Sequence, residues 1–165
     1  MELKYCPQCG KRLCVKKENG SNRLFCKNCN KFLYENPVPV VAGIVLDKNK
    51  RILLIKRGIE PNIGSWALPS GFMEIDESPD ESIIREMKEE TNLDCRIRKL
   101  LGAFKQKGFR YKNIVVLAYF LDVIKGTPEA GDDAAALHFF DVQNLPEIPF
   151  TSHRKIIRTL FSKKG

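Results

Sequence analysis

Apolar and polar positions along this chain lay out strands first, then a helix, then strands again. Val40 to Leu46 and Arg51 to Lys56 are β-branched, apolar runs that read as well-buried strands, with Asp47-Lys-Asn-Lys50 joining them as a hairpin turn. Ile59 to Ser70 contains no long regular element. From Pro79 to about Thr91 the period becomes helical: at about 100° per residue, Ile83, Ile84, Met87 and Thr91 share one arc and face a core. Arg96 to Phe104, Asn113 to Val123 and Ala135 to Val142 then read as strands. Thr151 caps a final helix whose buried stripe is Ile156, Ile157, Leu160 and Phe161. Ahead of these elements, Lys31 to Pro39 is an extended lead-in, stiffened by Pro37 and Pro39.

The central helix carries its own end signals. Ser78 is a good N-cap, Pro79 suits the first helical position, and Glu81 completes a Ser-x-x-Glu capping box. Asn92 can take the left-handed conformation that ends a helix. Beside the apolar arc lies a second one holding Glu86, Glu89 and Glu90. Three carboxylates this close repel one another and disfavour the helix, so a positive partner is expected there. A bare acidic stripe is most often a solvated face. Oxygen-only ligands on a rigid element also suit a hard divalent cation such as Mg²⁺ (or Mn²⁺), and that cation suits a phosphate substrate. Arg85 is placed to pair with Glu89 four residues on, or equally to reach back to Glu77.

The first 33 residues have a different character. Cys6-Pro-Gln-Cys9-Gly and Cys26-Lys-Asn-Cys29-Asn are two knuckles separated by 16 residues, the spacing of a zinc ribbon with one four-thiolate site. Gly10 and Asn30 each follow the second cysteine of a knuckle, where a positive φ is often needed. So short a segment buries little core, and bound Zn²⁺ would supply its folding energy. Iron fits the same ligands. Cys14 reads as a strand residue, and Cys95 packs at the start of the strand after the helix. The domains are therefore 1–33, the ribbon, and 34–165.

At 165 residues the chain holds one ordinary domain plus a small appendage, and 43% hydrophobic residues is normal for a globular protein. No apolar run approaches the ~20 residues that span a bilayer. The N-terminus is polar and cysteine-bearing, unlike a signal peptide, so the expectation is a cytoplasmic protein with reduced thiols. The formal charge of +8 points to polyanionic partners: phosphates, nucleotides or nucleic acid. In the ribbon, lysines and arginines outnumber the acids Glu2 and Glu18. A nucleic-acid contact there is weighed against a dimerisation or packing role, and the second is favoured because no aromatic-interleaved basic stripe appears.

Gly71, Glu77, Arg85, Glu86, Glu89 and Glu90, with Met87 and Leu93 at the aliphatic positions, match the Nudix box G-x5-E-x7-R-E-U-x-E-E-x-G-U. Asn92 stands where that pattern has Gly. Gly64-Ser-Trp-Ala-Leu-Pro-Ser70-Gly71 resembles the approach to the box, with Ser70 in place of its usual first Gly. From Val40 to about Phe161 the chain resembles a Nudix hydrolase, which implies an α/β/α sandwich around a mixed sheet. The ribbon, the Arg57-Gly-Ile-Glu-Pro stretch and Leu145-Pro-Glu-Ile-Pro-Phe150 resemble the ribbon-bearing group related to ADP-ribose and FAD pyrophosphatases. NADH pyrophosphatases carry S-Q-P-W-P-F-P soon after the box, and Lys105 to Lys112 has nothing of the kind.

The resemblance implies Mg²⁺-dependent hydrolysis of a nucleoside diphosphate linked to another moiety, X. Glu86, Glu90 and Glu89 would hold the metal, joined by the Ser70 carbonyl, while Arg85 and Glu77 fix the loop against the helix. The general base is Glu89 or an acid of the 129–133 loop. Counting back six from Phe139 gives Asp133, with Glu129 and Asp132 as neighbours. Arg57 is a candidate for a phosphate. Phe109 and Tyr111, in a basic connector, suit a nucleotide base. Trp66 is read as packing, His138 as structural and His153 as a surface residue. Competing classes are a nucleoside triphosphate housecleaning enzyme, an RNA-cap hydrolase, and a non-enzymatic nucleotide-sensing regulator.

Overall fold

A computed structural model describes residues 3–131 and 133–162, so Asp132 and Glu2 lie outside the described residues. The chain divides into two compact units, Met1–Pro37 and Val38–Gly165. The expected boundary after Leu33 falls inside the first unit. Tyr34 belongs to that unit because its hydroxyl donates to both carboxylate oxygens of Glu18 (3.0 and 2.9 Å) and its ring lies under the Arg23 guanidinium at 4.9 Å.

In the first unit, β1 (Cys14–Glu18), β2 (Ser21–Cys26) and β3 (Lys31–Leu33) form an antiparallel sheet in that order. Asn19 and Gly20, both at positive φ, make the two-residue turn between β1 and β2. Register puts Lys16 opposite Arg23, and Lys16 sits 4.5 Å from the Phe25 ring. Two of the ribbon's cations, Lys16 and Arg23, are thus spent on aromatic rings of their own unit.

The second unit begins with β4 (Val38–Val45) and β5 (Ile52–Arg57). The expected hairpin turn joins them, but they do not stay paired beyond it. Asp47 Oδ1 accepts the Asn49 and Arg51 amides, which makes the turn tight, yet only a Leu46–Ile52 bridge follows it. The strands then part into different sheets. β5 lies between β10 (Ala134–Phe140) and β6 (Trp66–Ala67), all antiparallel. β4 lies in a mixed sheet ordered β7 (Ser70–Phe72), β4, β9 (Asn113–Lys125), β8 (Asp94–Lys107), in which β4 and β9 run parallel.

Residues of a strand alternate between its two faces, and β4 builds two cores in this way. Val41 and Val45 meet Ile83 and Met87 of α1 (Pro79–Thr91), while Val40, Ala42 and Ile44 meet Ile156 and Ile157 of α2 (Thr151–Ser162). The result is the α/β/α sandwich around a mixed sheet. Among the described residues no helix is long and apolar enough to cross a membrane. Thr151 is the first residue of α2 rather than its cap. Gln106 of β8 does the capping: its Oε1 accepts both the Thr151 hydroxyl and the Ser152 amide at 2.9 Å. β10 stops at Phe140, and Val142 opens a short 3-10 turn capped by Asp141.

Candidate active site

Helix α1 forms for the local reasons its sequence contains. Ser78 Oγ accepts the Glu81 amide, Glu81 accepts the Ser78 amide in return, and Asn92 closes the helix at φ 58°. Its buried flank is broader than the apolar arc. Ser82, Glu86 and Glu90 are buried along with Ile83, Met87 and Thr91, leaving Glu86 only 9% and Glu90 only 3% exposed. Two carboxylates one turn apart and out of water are costly unless something positive compensates them.

Arg85 compensates one side of the cluster. Its Nε and Nη2 donate to Glu77 (2.9 and 2.6 Å), and its Nη1 donates to Glu86 and Glu89 (both 2.8 Å). Both pairings open to it from the sequence are made at once. Nη2 also reaches the Phe72 carbonyl at 3.2 Å, which ties β7 to the helix. Arg85 holds the Glu77 carboxyl down at about 2, and Glu77 in turn raises the Arg85 pKa.

Glu90 lies outside this network. Its Oε2 accepts the Ser70 amide at 2.8 Å. Burial, abetted by Glu86 and Asp133, lifts its carboxyl to about 8, against the Ser70 bond and the positive field of Arg57. Burial raises Glu86 as well, against Arg85. Gly71 completes the packing: a Cβ there would run into the Glu86 carboxylate, so this position of β7 admits only glycine without a shift. Ser70, Gly71, Glu86 and Glu90 are therefore one constellation at a sheet edge. Glu89, with 41% of its side chain exposed, leans toward Arg85 instead. Among the described residues only the four ribbon cysteines bring three or more ligand atoms into one tight cluster. The helix carboxylates share a flank without that convergence.

The loop after β9 is fastened to the end of α1. Glu129 N donates to the Thr91 carbonyl (3.0 Å) and Gly131 N to that of Glu90 (3.3 Å). This brings exposed Asp133 into the electrostatic field of Glu90 and Arg57, and its carbonyl accepts the Gly58 amide at 2.7 Å. Arg57 donates to the carbonyls of Pro61 (2.8 Å) and Glu60 (3.1 Å), so it shapes its own loop while facing the site. Burial lowers its pKa, with Glu90 and Asp133 opposing. Tyr111 packs edge-on against Phe72, whereas Phe109 is 71% exposed and has no ring contact among the described residues. Trp66 packs against Phe140 in the core, as expected. His138 is exposed, its ring 4.9 Å from that of Phe140.

His153 departs from the expectation of a surface residue. It is 5% exposed, its ring lies 5.0 Å from Phe150, and its Nδ1 accepts the Leu68 amide at 3.2 Å. Burial, with Arg57 adding, pushes its pKa down to about 3. His153 and Phe72 are the two residues beside the site that sequence reasoning missed. The only signal for His153 was its place in the first turn of a helix whose next turn is buried.

In the ribbon unit the Sγ atoms of Cys6, Cys9, Cys26 and Cys29 lie within 4.8 Å of one another. Cys6–Cys29 is 4.0 Å and Cys9–Cys26 3.6 Å, bracketing the ~3.8 Å expected between thiolates in a tetrahedron with Zn–S of about 2.3 Å. The Lys11 amide, followed by Cys29, pulls the Cys9 thiol down to about 6, and Gly10 and Asn30 both take positive φ. This donor set fits zinc. Cys14 lies in β1 and Cys95 is buried at the start of β8, both apart from the cluster.

Residues 36–160 match the NUDIX domain family. An ADP-ribose pyrophosphatase of Methanocaldococcus jannaschii is 42% identical over 127 residues, 76% of this chain and 74% of that protein. The NAD-capped RNA hydrolase NudC of Vibrio atlanticus is 26% identical over 148 residues, 88% of this chain but 52% of its own length. Among solved structures, a NUDIX hydrolase from Nitrosomonas europaea matches with a TM-score of 0.80 at 28% identity, covering 98% of this chain and 92% of that one. With a domain match spanning three quarters of its length and a relative 42% identical over three quarters of both chains, the chain belongs to the NUDIX family of hydrolases.

Proposed function

We propose that this protein hydrolyses the diphosphate bond of a nucleoside diphosphate linked to X, with ADP-ribose the favoured substrate, in a Mg²⁺-dependent reaction. The carrying observation is the buried pair Glu86 and Glu90. A carboxyl lifted to about 8 stays protonated at neutral pH unless a cation enters beside it, and oxygen ligands on a rigid helix select a hard one. Glu86 and Glu90 would hold Mg²⁺, together with Glu89 and the Ser70 carbonyl. Held there, the cation would supply charge to offset the diphosphate and would lower the pKa of water.

The chain's own residues do the rest. Arg85, clamped by Glu77, fixes the loop and β7 against α1. Arg57 meets a phosphate oxygen, and Glu89 or Asp133 accepts the proton of the attacking water. The water oxygen bonds to one phosphorus and the bridging oxygen leaves on the other, giving a nucleoside monophosphate and phospho-X. ADP-ribose is placed first in this class because the M. jannaschii relative is an ADP-ribose pyrophosphatase. The ribbon holds structural Zn²⁺ and serves packing or self-association, in keeping with Lys16 and Arg23 being engaged with their own sheet.

The deciding experiment is a hydrolysis screen with Mg²⁺ against ADP-ribose, FAD, NADH, dinucleoside polyphosphates, nucleoside triphosphates and NAD-capped RNA. ADP-ribose cleaved to AMP and ribose 5-phosphate is the expected result. Preference for the triphosphates, or for capped RNA with a steep salt dependence, transfers the activity to those classes. Inertness toward all of them favours a nucleotide sensor.

A further inference from the structure

The arginine that faces the carboxylates is held both along an edge and across a face. Along the edge of the Arg57 guanidinium, Nε and Nη2 donate to the Pro61 and Glu60 carbonyls at 2.8 and 3.1 Å. Across its face lies the Phe150 ring, whose centroid is 5.5 Å from the guanidinium carbon. That ring in turn packs on His153, with centroids 5.0 Å apart and planes at 39°. His153 is buried, and its Nδ1 accepts the Leu68 amide. Guanidinium, phenyl and imidazole thus make a chain of contacts that ends on the segment whose Ser70 amide holds Glu90.

Phe150 is half-buried and, among the described residues, belongs to neither apolar core. Its ring meets Arg57 and His153 instead. The start of α2 fixes its place: Gln106 caps Thr151 and Ser152, and the Phe150 carbonyl accepts the Arg154 amide at 3.2 Å. An arginine loses much rotamer freedom when it is fixed. A ring against its face supplies attraction without using any of its N–H donors. Glu90 and Asp133 attract the same guanidinium from the side of the site.

We propose that Phe150 is a positioning residue for the reaction, its ring fixing the Arg57 guanidinium where a phosphate of the substrate is bound. This rests on the hydrolytic reading above, in which Arg57 meets a phosphate oxygen. Phe150 acts only through Arg57. Replacing the ring by an aliphatic side chain of similar bulk frees the guanidinium while leaving the space filled.

The test is a double-mutant cycle of Phe150→Leu with Arg57→Gln, read as kcat/KM for ADP-ribose at saturating Mg²⁺, with the thermal midpoint recorded for every variant. Phe150→Leu alone should lower kcat/KM about tenfold. In the Arg57→Gln background the same change should matter less than about twofold, because the group that the ring positions is gone. Phe150→Tyr keeps a ring face and should recover to within about threefold of wild type. A Phe150 that served stability alone would give losses that multiply with those of Arg57→Gln and follow the thermal midpoint. Should Phe150→Leu fail to fold, Phe150→Met takes its place in the cycle. Equal losses in both backgrounds, no loss in the aliphatic variant, a tyrosine variant as impaired as it, or an Arg57→Gln variant as active as wild type would overturn the proposal. If wild type leaves ADP-ribose intact, the hydrolytic reading falls for that substrate, and calorimetry with ADP runs the same cycle. ADP binding weakened by loss of the ring only where Arg57 is present supports the positioning role. Equal weakening in both backgrounds, undiminished binding, or none in wild type overturns it.

Discussion

The backbone amide of Leu68 donates to Nδ1 of His153 at 3.2 Å, in the interior and across 85 positions of sequence. This bond ties α2 to the segment from which Ser70 reaches Glu90, and it requires a neutral imidazole. The His153 pKa falls from 6.5 to about 3 on folding. The unfolded chain therefore binds the extra proton between those values, and stability from this group is lost as pH drops through that window. Glu90 has the opposite sign. Its carboxyl rises from 4.5 to about 8, so its contribution is full below 4.5 and is lost as pH climbs toward 8.

Each slope is at most about 1.4 kcal/mol per pH unit, so the two oppose each other where the windows overlap. Without added divalent cations, the larger unit should be most stable on a plateau near pH 4.5–6.5 and weaken on both sides. Trp66, the sole tryptophan, lies in that unit and reports its thermal unfolding by fluorescence. His153→Gln keeps an acceptor but does not titrate, and should flatten the acid limb. An acid limb as steep as wild type in that variant would remove His153 as its cause.

What could be read from sequence was local. The Ser78–Glu81 box, the Asn92 cap and the two cysteine knuckles depend on residues three or four apart, and each lies where its spacing implied. What escaped depends on partners far along the chain. The Asp47 turn looks like a hairpin turn and is one, but whether β4 and β5 stay paired is decided by β9 and β10, which claim one strand each. Thr151 looks like a cap until Gln106, 45 residues upstream, takes the position. The acidic arc was legible as an arc. Its division into buried Glu86 and Glu90 and exposed Glu89 follows from β7, which packs Gly71 and Ser70 against only the first two.

That division makes Glu90→Gln informative in two directions. If Glu90 is the metal ligand proposed above, the substitution should cut turnover of ADP-ribose, the proposed substrate, by about 100-fold or more, since electrostatic help of this kind is worth several kcal/mol in the barrier. Stability at pH 8 without divalent cations should rise, because the buried amide carries no charge, whereas the acid must take up a proton or bury its charge on folding at that pH. The Ser70 amide still finds an acceptor in Gln. Paired measurements of kcat and thermal midpoint check both. Turnover at the wild-type level would exclude Glu90 from the chemistry.

Gly71→Ala probes the same corner through packing. The added methyl meets the Glu86 carboxylate, which must move or push β7 outward. Overpacking of this kind costs about 1–3 kcal/mol of stability, and a displacement near 1 Å at a catalytic group costs about 100-fold in rate. The Mg²⁺ concentration for half-maximal rate should rise along with the loss in kcat. A variant destabilised but unchanged in its Mg²⁺ requirement would mean that Glu86 yields without consequence for the metal.

The four ribbon cysteines converge on one point. Cys26 is fully buried, its sulfur accepts the Cys29 amide at 3.4 Å, and the unit of Met1–Pro37 has little else to bury: Cys6, Phe25 and Cys26 are its only buried apolar residues among those described. A unit so small should fold only with its metal. Metal analysis of purified protein should find about one zinc per chain, and Cys26→Ser should lose it. Backbone amide resonances of residues 3–37 should then collapse toward random-coil shifts, while those of β4 to α2 keep their dispersion. A well-dispersed ribbon in zinc-free Cys26→Ser would show that Lys16, Phe25, Phe32 and Tyr34 hold the sheet without metal.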